Sequence, residues 1–441
     1  MSKVIVKVGL VGMGTVGAGV AKLLLENGGE IEGRTGIKIE LARVVDKDIA
    51  GAKSRYDLPA GLLSDDVNTV LNDKSIDIGV ELVGGTGFAR QLQLKMLESG
   101  KHVVTANKAL LAEHGTEIFE SAKKHGKCVA FEASCAGGIP IISAIRTGLK
   151  ANRIDGIYGI VNGTCNYILS KMTTQNEDFP TALAGAQKKG YAEADPTLDI
   201  EGIDSAHKLA ILASMCFGYE VRMEDIYVEG INGISINDIR YGGEMGYTLK
   251  LLAIGKRSGE GKLSFRVHPS FIPQDNALAR VNGPFNAISI IGHAVGQTFY
   301  YGRGAGMMPT ASAVVADIID VAMGNNQSTF NHTLIEPHAG LAAVKEKFEN
   351  IESRFYIRLT AADEPGVFAQ IGKVLSDNQI SISGLLQHES KEADGGVPVV
   401  ITTHKSRQKQ ITAAIGQLEG LSSVSGKVVC IRIVDLPEDK D

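Results

Sequence analysis

From Gly190 to Lys208 the chain reads Gly-Tyr-Ala-Glu-Ala-Asp-Pro-Thr-Leu-Asp-Ile-Glu-Gly-Ile-Asp-Ser-Ala-His-Lys, a run of carboxylates leading to a lysine. Asp204 and Lys208 are four apart, so on a helix they share a face. An ammonium held beside a carboxylate can give a proton to a reacting oxygen and can stabilise negative charge developing there. From Ile203 to Phe217 the pattern is that of a helix apolar nearly all round, with Ala206, Leu209, Ala210, Ala213 and Phe217 on one side and Ile211 and Met215 on the other. At about 100° per residue, Ile211 and Met215 lie on the face of Asp204 and Lys208 and turn it toward protein. A partly buried Asp–Lys pair loses solvation that only use or full hydrogen bonding offsets. Two plainer readings compete: an exposed i,i+4 ion pair of little consequence, and a carboxylate cage for a metal. The segment lacks the midway glycine and closing glutamate of a calcium loop.

The elements that would position such chemistry begin at the amino terminus. Val4–Val11 is a nearly continuous apolar, β-branched run, as expected of a strand buried on both faces of a parallel sheet. It leads into Gly12-Met-Gly14-Thr15-Val16-Gly17 and then a helical pattern through Val20, Leu23 and Leu24. In that context the glycines provide a tight turn, close backbone approach to a pyrophosphate and tight helix-on-strand packing, while the helix start offers N–H groups to phosphate. A dinucleotide-binding fold is therefore expected. The next strand, Ile37 to Val45, ends in mixed charge. Asp46 could accept from a ribose 2′-hydroxyl, which suits NAD, whereas Arg43 and Lys47 could neutralise a 2′-phosphate, which suits NADP. The balance tilts to NADP and leaves NAD open; all three can also be ordinary loop charges. Two further strands, Ile76 to Val83 and His102 to Thr105, stop at Gly84-Gly85-Thr86 and Ala106-Asn107-Lys108. Ligands of open α/β sheets sit beyond the carboxyl ends of the strands, so Lys108 points to the place where a nicotinamide would meet a carbonyl.

The 441 residues allow two to four domains, and a net charge of −5 argues against nucleic acid as the main partner. Five cysteines, an odd number mostly in apolar runs, read as free thiols in a reducing, cytoplasmic compartment. No apolar run is long enough for a membrane span, and the glycine fingerprint inside the apolar amino terminus argues against a signal peptide.

The α/β alternation continues to about Phe131. A glycine-rich α+β region follows, with strand-like runs at Ile154–Val161 and Asn286–Gly292. After Tyr301 to Gly306, a helix opens with Pro309 in its first turn and would pack back on the sheet. Residues 1–131 with about 305–330 are thus expected to form the dinucleotide domain, 132–304 an α+β domain, and 331–352 a linker. Residues 353–435 read as βαββαβ: strand Phe355–Leu359, turn Asp363–Gly366, helix Val367–Ser376, strands Ile380–Gln387 and Val397–Thr403, helix Arg407–Leu418 and a strand near Val428–Val434.

Gly12-x-Gly14-x-x-Gly17, Thr105-Ala-Asn-Lys108, Glu132-Ala-Ser-Cys-Ala-Gly-Gly-Ile-Pro140, Asn162-Gly-Thr-Cys-Asn166 and Ala194-Asp-Pro-x-x-Asp-x-x-Gly-x-Asp-x-x-x-Lys208 together resemble homoserine dehydrogenase, in the monofunctional bacterial form with a carboxy-terminal ACT domain. The resemblance spans nearly the whole chain. It implies an α/β architecture of Rossmann-type domain, α+β catalytic and dimerisation domain over 132–304 and ferredoxin-like ACT domain. It also implies reversible hydride transfer between NAD(P)H and L-aspartate 4-semialdehyde, giving L-homoserine on the way to threonine, methionine and isoleucine. On the resemblance, Lys208 is the proton donor and Asp204 orients its ammonium. Lys108 assists between cofactor and substrate, and Glu193 accepts the substrate α-ammonium with Asp204 and Asp199 in support. Gly190 and Gly304 contact the cofactor. A structural monovalent cation, usually sodium, maps to Glu132 and to the carbonyls of Cys135, Gly137 and Ile139. Threonine is the implied effector of the ACT domain, and a homodimer or homotetramer the implied assembly.

Two rivals remain at this level. Cys135 beside Gly137 and Gly138 could be a thiolate nucleophile, as in a phosphorylating semialdehyde dehydrogenase, with His102 and His125 the nearest histidines in sequence. Alternatively the chain could be an amino-acid sensor that has lost its chemistry, or its ACT domain could serve assembly alone.

Overall fold

The computed structural model describes residues 4–332, 344–388 and 396–437. Two compact units emerge: Met1–Ile157 with Asp204–Ile226 and Asn286–Ala343, and Tyr158–Ile203 with Tyr227–Phe285 and Val344–Asp441. This division follows neither expected boundary, at 131/132 or at 304/305. It puts the Ile203–Phe217 helix, from Asp204 onward, with the amino-terminal sheet.

In the first unit, β1 (Val4–Val11), β2 (Ile37–Val45), β3 (Leu63–Ser64), β4 (Ile78–Glu81), β5 (His102–Thr105) and β6 (Val129–Ala130) form one sheet in the order β3-β2-β1-β4-β5-β6. All its pairings are parallel. The chain reverses its direction of travel across the sheet between β1 and β4, the switch point where such folds bind ligands. Val8 and Leu10 are fully buried, as a strand covered on both faces requires. The Met307–Ala322 helix, with Pro309 in its first turn, packs on the Thr15–Glu26 helix so closely that a Cβ at Gly19 would lie 2.9 Å from the Ala311 Cβ.

The second unit is built on an antiparallel hairpin, Tyr247–Arg257 with Leu263–Pro273, paired from Leu263↔Arg257 to Pro273↔Tyr247. The terminal βαββαβ pattern folds as read: strand Glu352–Ala361, helix Val367–Asp377, strands Ile382–Gln387 and Val397–Thr403, helix Gln408–Glu419, strand Val424–Ile433. Its strands lie in the order fourth, first, third, second, a ferredoxin-like sheet over a core that includes Phe355, Ile357, Ile371, Leu375, Ile401 and Leu418. The fourth strand also pairs in parallel with the hairpin, Ser270↔Arg432 and Phe271↔Ile433, so one sheet runs through both.

The expected linker needs correction where it is described; residues 333–343 lie outside the described residues. The helix before it continues to His332. From Val344 the chain is held against the hairpin, Leu263 N donating to Val344 O at 2.9 Å and Glu346 N to Leu263 O at 2.8 Å, and Phe348 stacks on Tyr227 with ring centroids 3.7 Å apart. Backbone pairing and an aromatic contact fix a segment whose charged composition reads as loose. Among the described residues no single helix is long and apolar enough to cross a membrane.

Candidate active site

The strand–glycine–helix segment forms a cradle. Gly12 takes φ +101°, and a Cβ there would lie 2.6 Å from the Leu82 carbonyl carbon. A Cβ at Gly17 would collide with the Gly12 carbonyl oxygen, whereas Gly14 faces open space. The helix opens at Thr15 and Val16 with no side-chain cap, so its first N–H groups are directed to whatever fills that space. Asp46 braces the loop: one oxygen accepts from Met13 N at 2.6 Å, the other from Asp48 N at 2.9 Å. Lys47 lies over the Phe88 ring at 5.6 Å. Arg43 donates to Ala42 O and lines a cleft with Lys7 and Asp73. A cation absent from the sequence reading, Arg55, reaches the loop itself, donating to Met13 O at 3.4 Å. No fingerprint spacing marks it; the turn after β2 brings it there.

Glu81 was also missed. It is fully buried at the end of β4 and accepts from Val83 N (2.8 Å), Gly84 N (3.0 Å), Gln93 Nε2 (2.8 Å) and Thr105 Oγ1 (2.8 Å). Asn107 Nδ2 approaches it at 3.4 Å and donates to Gly85 O at 2.8 Å, while Asn107 Oδ1 caps the Lys108–Lys124 helix through Leu110 N. One carboxylate thus ties the ends of β4 and β5 together and fixes the helix start that carries Lys108. The available signal was a lone acid closing an otherwise apolar strand.

Lys108 and Lys208 meet on Asp204. The carboxylate accepts from Lys108 Nζ at 3.0 Å through Oδ1 and from Lys208 Nζ at 2.7 Å through Oδ2. The side chains of Asp204 and Lys208 are 10% and 11% exposed, that of Lys108 37%, which rules out the surface ion-pair reading. Burial by itself would raise the Asp204 pKa; the two ammoniums outweigh it and hold the carboxyl below the usual carboxylate range. A cationic pair held by one anion, with the Lys108 end open to solvent, is suited to proton transfer to, and charge stabilisation of, a nascent alkoxide.

Just after β6, the Glu132 carboxylate accepts from Ile142 N and Ser143 N, each at 2.8 Å, and Glu132 N donates to Asp317 Oδ2 at 2.7 Å. Burial pushes both carboxyls up, Asp317 to about 8. The following loop carries positive φ at Ala136 and Gly137, and Gly138 N donates to Arg303 O at 2.9 Å. A Cβ at Gly137 would lie 2.7 Å from Gly304 O, and one at Gly304 would collide with Asn286, so close packing already demands glycine at both. Among the described residues no group of three or more His, Cys, Asp or Glu could hold a metal. One carboxylate with backbone carbonyls fits only a weakly held, hard cation. Cys135 is fully buried, its Sγ 3.9 Å from Lys208 O, and burial pushes its thiol up to about 12. His102 contacts Cys128 instead, at 3.2 Å. A protonated, enclosed thiol without a base is no nucleophile, so the Cys135 reading is not supported.

The remaining expected residues belong to the second unit. Asp199 accepts from Asn162 Nδ2 at 2.6 Å; Asn162 Oδ1 caps the Gly163–Gln175 helix through Cys165 N, and Cys165 Sγ donates to Asp199 O at 3.1 Å. Two of the sequence motifs are thereby joined. Gly190, at φ +70°, has open space around it, and Glu193 is exposed, its carbonyl accepting from Gln187 Nε2.

Comparison with known proteins agrees with this layout. Family models match at residues 12–132 (homoserine dehydrogenase, NAD binding domain), 140–319 (homoserine dehydrogenase) and 355–420 (ACT domain). The chain is 47% identical to a homoserine dehydrogenase of Pseudomonas aeruginosa, over 98% of this chain and 99% of that protein. It is similar to a solved homoserine dehydrogenase from Thiobacillus denitrificans, with TM-score 0.91, 43% identity and 98% of each chain covered. A hyperthermophilic archaeal homoserine dehydrogenase solved in complex with NADPH matches at TM-score 0.61 and 25% identity, over 73% of this chain and 98% of that one.

Proposed function

This chain belongs to the homoserine dehydrogenase family, and from that premise we propose how its own side chains serve the reaction, the reversible reduction of L-aspartate 4-semialdehyde to L-homoserine. The observation that carries the proposal is the grip of Asp204 on both Lys108 and Lys208. When bound, the nicotinamide supplies the hydride. Lys208 gives the proton to the alkoxide oxygen, and Asp204 orients its ammonium. Lys108 adds positive charge at the same oxygen. Glu193 accepts the substrate α-ammonium, with Asp199 in support through its bond to Asn162.

NADP is the proposed cofactor. Gly12, Gly14, Thr15, Val16 and Gly17 would hold its phosphates on the glycine loop, Gly190 and Gly304 would give further contacts, and Lys47 and Arg43 would meet the 2′-phosphate. The nearby Arg55 and the NADPH complex of the archaeal relative support this over NAD. A sodium-like cation on Glu132 and the carbonyls of Cys135, Gly137 and Ile139 would be structural. Threonine is the proposed effector, bounded in the ACT domain by Asp363–Gly366; Gly366, at φ +94°, opens the Val367–Asp377 helix with no side-chain cap. The enzyme is proposed to work in the cytoplasm as a homodimer or homotetramer, supplying threonine, methionine and isoleucine synthesis.

Initial rates of homoserine oxidation with NADP and with NAD, for the parent and Lys208→Ala and with and without threonine, test these assignments. A Lys208→Ala enzyme as fast as its parent removes Lys208 from proton transfer. Equal rates with both cofactors remove the NADP preference, and no response to threonine removes the effector.

A further inference from the structure

At the end of the hairpin in the second unit lies a cleft of about 520 Å³, lined by none of the residues given a role above. Lys256, Arg257, Lys262, Arg266 and Arg407 line it against three carboxylates, Glu260, Glu346 and Glu352. Two of the three already face cations: Glu260 pairs with Lys262, and Glu352 lies 3.6 Å from Arg407. The cleft is therefore cationic in excess, and its deepest cation is Arg266.

Arg266 is 5% exposed. Its Nη1 donates to Ser264 Oγ at 3.2 Å, its Nε has no hydrogen-bond partner, and no described carboxylate pairs with it. Burial, partly opposed by Tyr158 and reinforced by the neighbouring Arg432 charge, lowers its pKa to about 10. On the hairpin turn, the Ser258 hydroxyl is likewise buried without a partner among the described residues. A buried guanidinium without a counter-anion is costly, and folds keep such a group when something else completes it. Its planar fork matches the paired oxygens of a carboxylate or phosphate.

We propose that this cleft is a binding site for a small oxyanion, carboxylate or phosphate, held by Arg266 from below, by Ser258 from the turn and by Lys256 at the rim. Because Glu352 opens the first ACT strand and Arg407 directly precedes an ACT helix, such an anion would tie the hairpin to the ACT domain.

The test is isothermal titration of the full-length chain, saturated with NADP so that the glycine loop is filled, with inorganic phosphate in one arm and succinate in the other at matched ionic strength. The expected result is a saturable isotherm in at least one arm, weakened about tenfold or more by Arg266→Met, as loss of a charged hydrogen-bonding group implies. Binding in the phosphate arm alone or the succinate arm alone names the anion class. Arg266→Met should melt no lower than the parent without oxyanion, since it removes an uncompensated buried charge. Lys256→Gln, at an exposed position, should weaken binding severalfold in a chain whose fold it leaves intact. No saturable heat in either arm, or unchanged affinity in both variants, overturns the proposal.

Discussion

Asp204 and Asp238 are both buried aspartates near the start of a helix, and each grips two partners, yet they serve different ends. Asp204 holds two lysines, one of them reaching solvent. Asp238, fully buried, accepts from Arg358 Nε at 2.6 Å and Nη2 at 3.1 Å and from Tyr356 OH at 3.1 Å. A lysine ammonium is a compact charge that can give up a proton; a guanidinium cannot at any working pH, and its bidentate fork fixes geometry. On the proposed mechanism the first arrangement serves chemistry; the second fastens the Ile236–Glu244 helix to the first ACT strand.

Breaking each one should therefore look different. Lys208→Ala is expected to lower the rate of homoserine oxidation by about 10²- to 10⁴-fold, the usual worth of a positioned acid, with a smaller loss of stability than Arg358→Ala causes, since Lys108 still pairs with Asp204. A rate change below tenfold would make the Asp204 centre another fastener. Arg358→Ala leaves Asp238 buried without its cation and should cost about 3 kcal/mol or more in urea unfolding, while the folded fraction keeps its turnover number. If turnover falls and stability does not, Asp238 belongs to the chemistry or its control.

A third buried aspartate sharpens the contrast. Asp317 accepts a backbone N–H beside Glu132, and its carboxyl sits at about 8 against an ordinary 3.8. Between those values the folded protein holds a proton that the unfolded chain releases, so stability falls as pH rises from about 4 to 8 and levels off above. Asp317→Asn keeps the acceptor and removes that titration. Its melting temperature should gain on the parent's across this window, and a constant difference would contradict the assignment. The smallest effect belongs to Cys135→Ser: roughly 1 kcal/mol of stability for a polar group placed in an enclosed site, with turnover within about twofold.

How much was legible depended on range. The sequence predicts the Ile203–Phe217 helix to the residue because its pattern is continuous. The ACT strands and helices were placed within a few residues, although the last strand begins at Val424 rather than near Val428. Arg55 and Glu81 escaped because neither stands in a motif: each acts through a backbone or side chain brought to it by the turn of another strand.

The sequence alone determined the cradle, the helix that pairs Asp204 with Lys208, and the order of the terminal βαββαβ unit. All three rest on local periodicity and on glycines whose backbone demands are felt within a few residues. Only the tertiary structure decided that Lys108 shares Asp204 with Lys208, that Cys135 is sealed and protonated, that the ACT sheet continues into the hairpin, and that Arg266 lies buried with no carboxylate among the described residues paired to it. Each depends on which distant segments pack together and on how much water that packing excludes, and solvation and distance across the chain are not properties of any single stretch of residues.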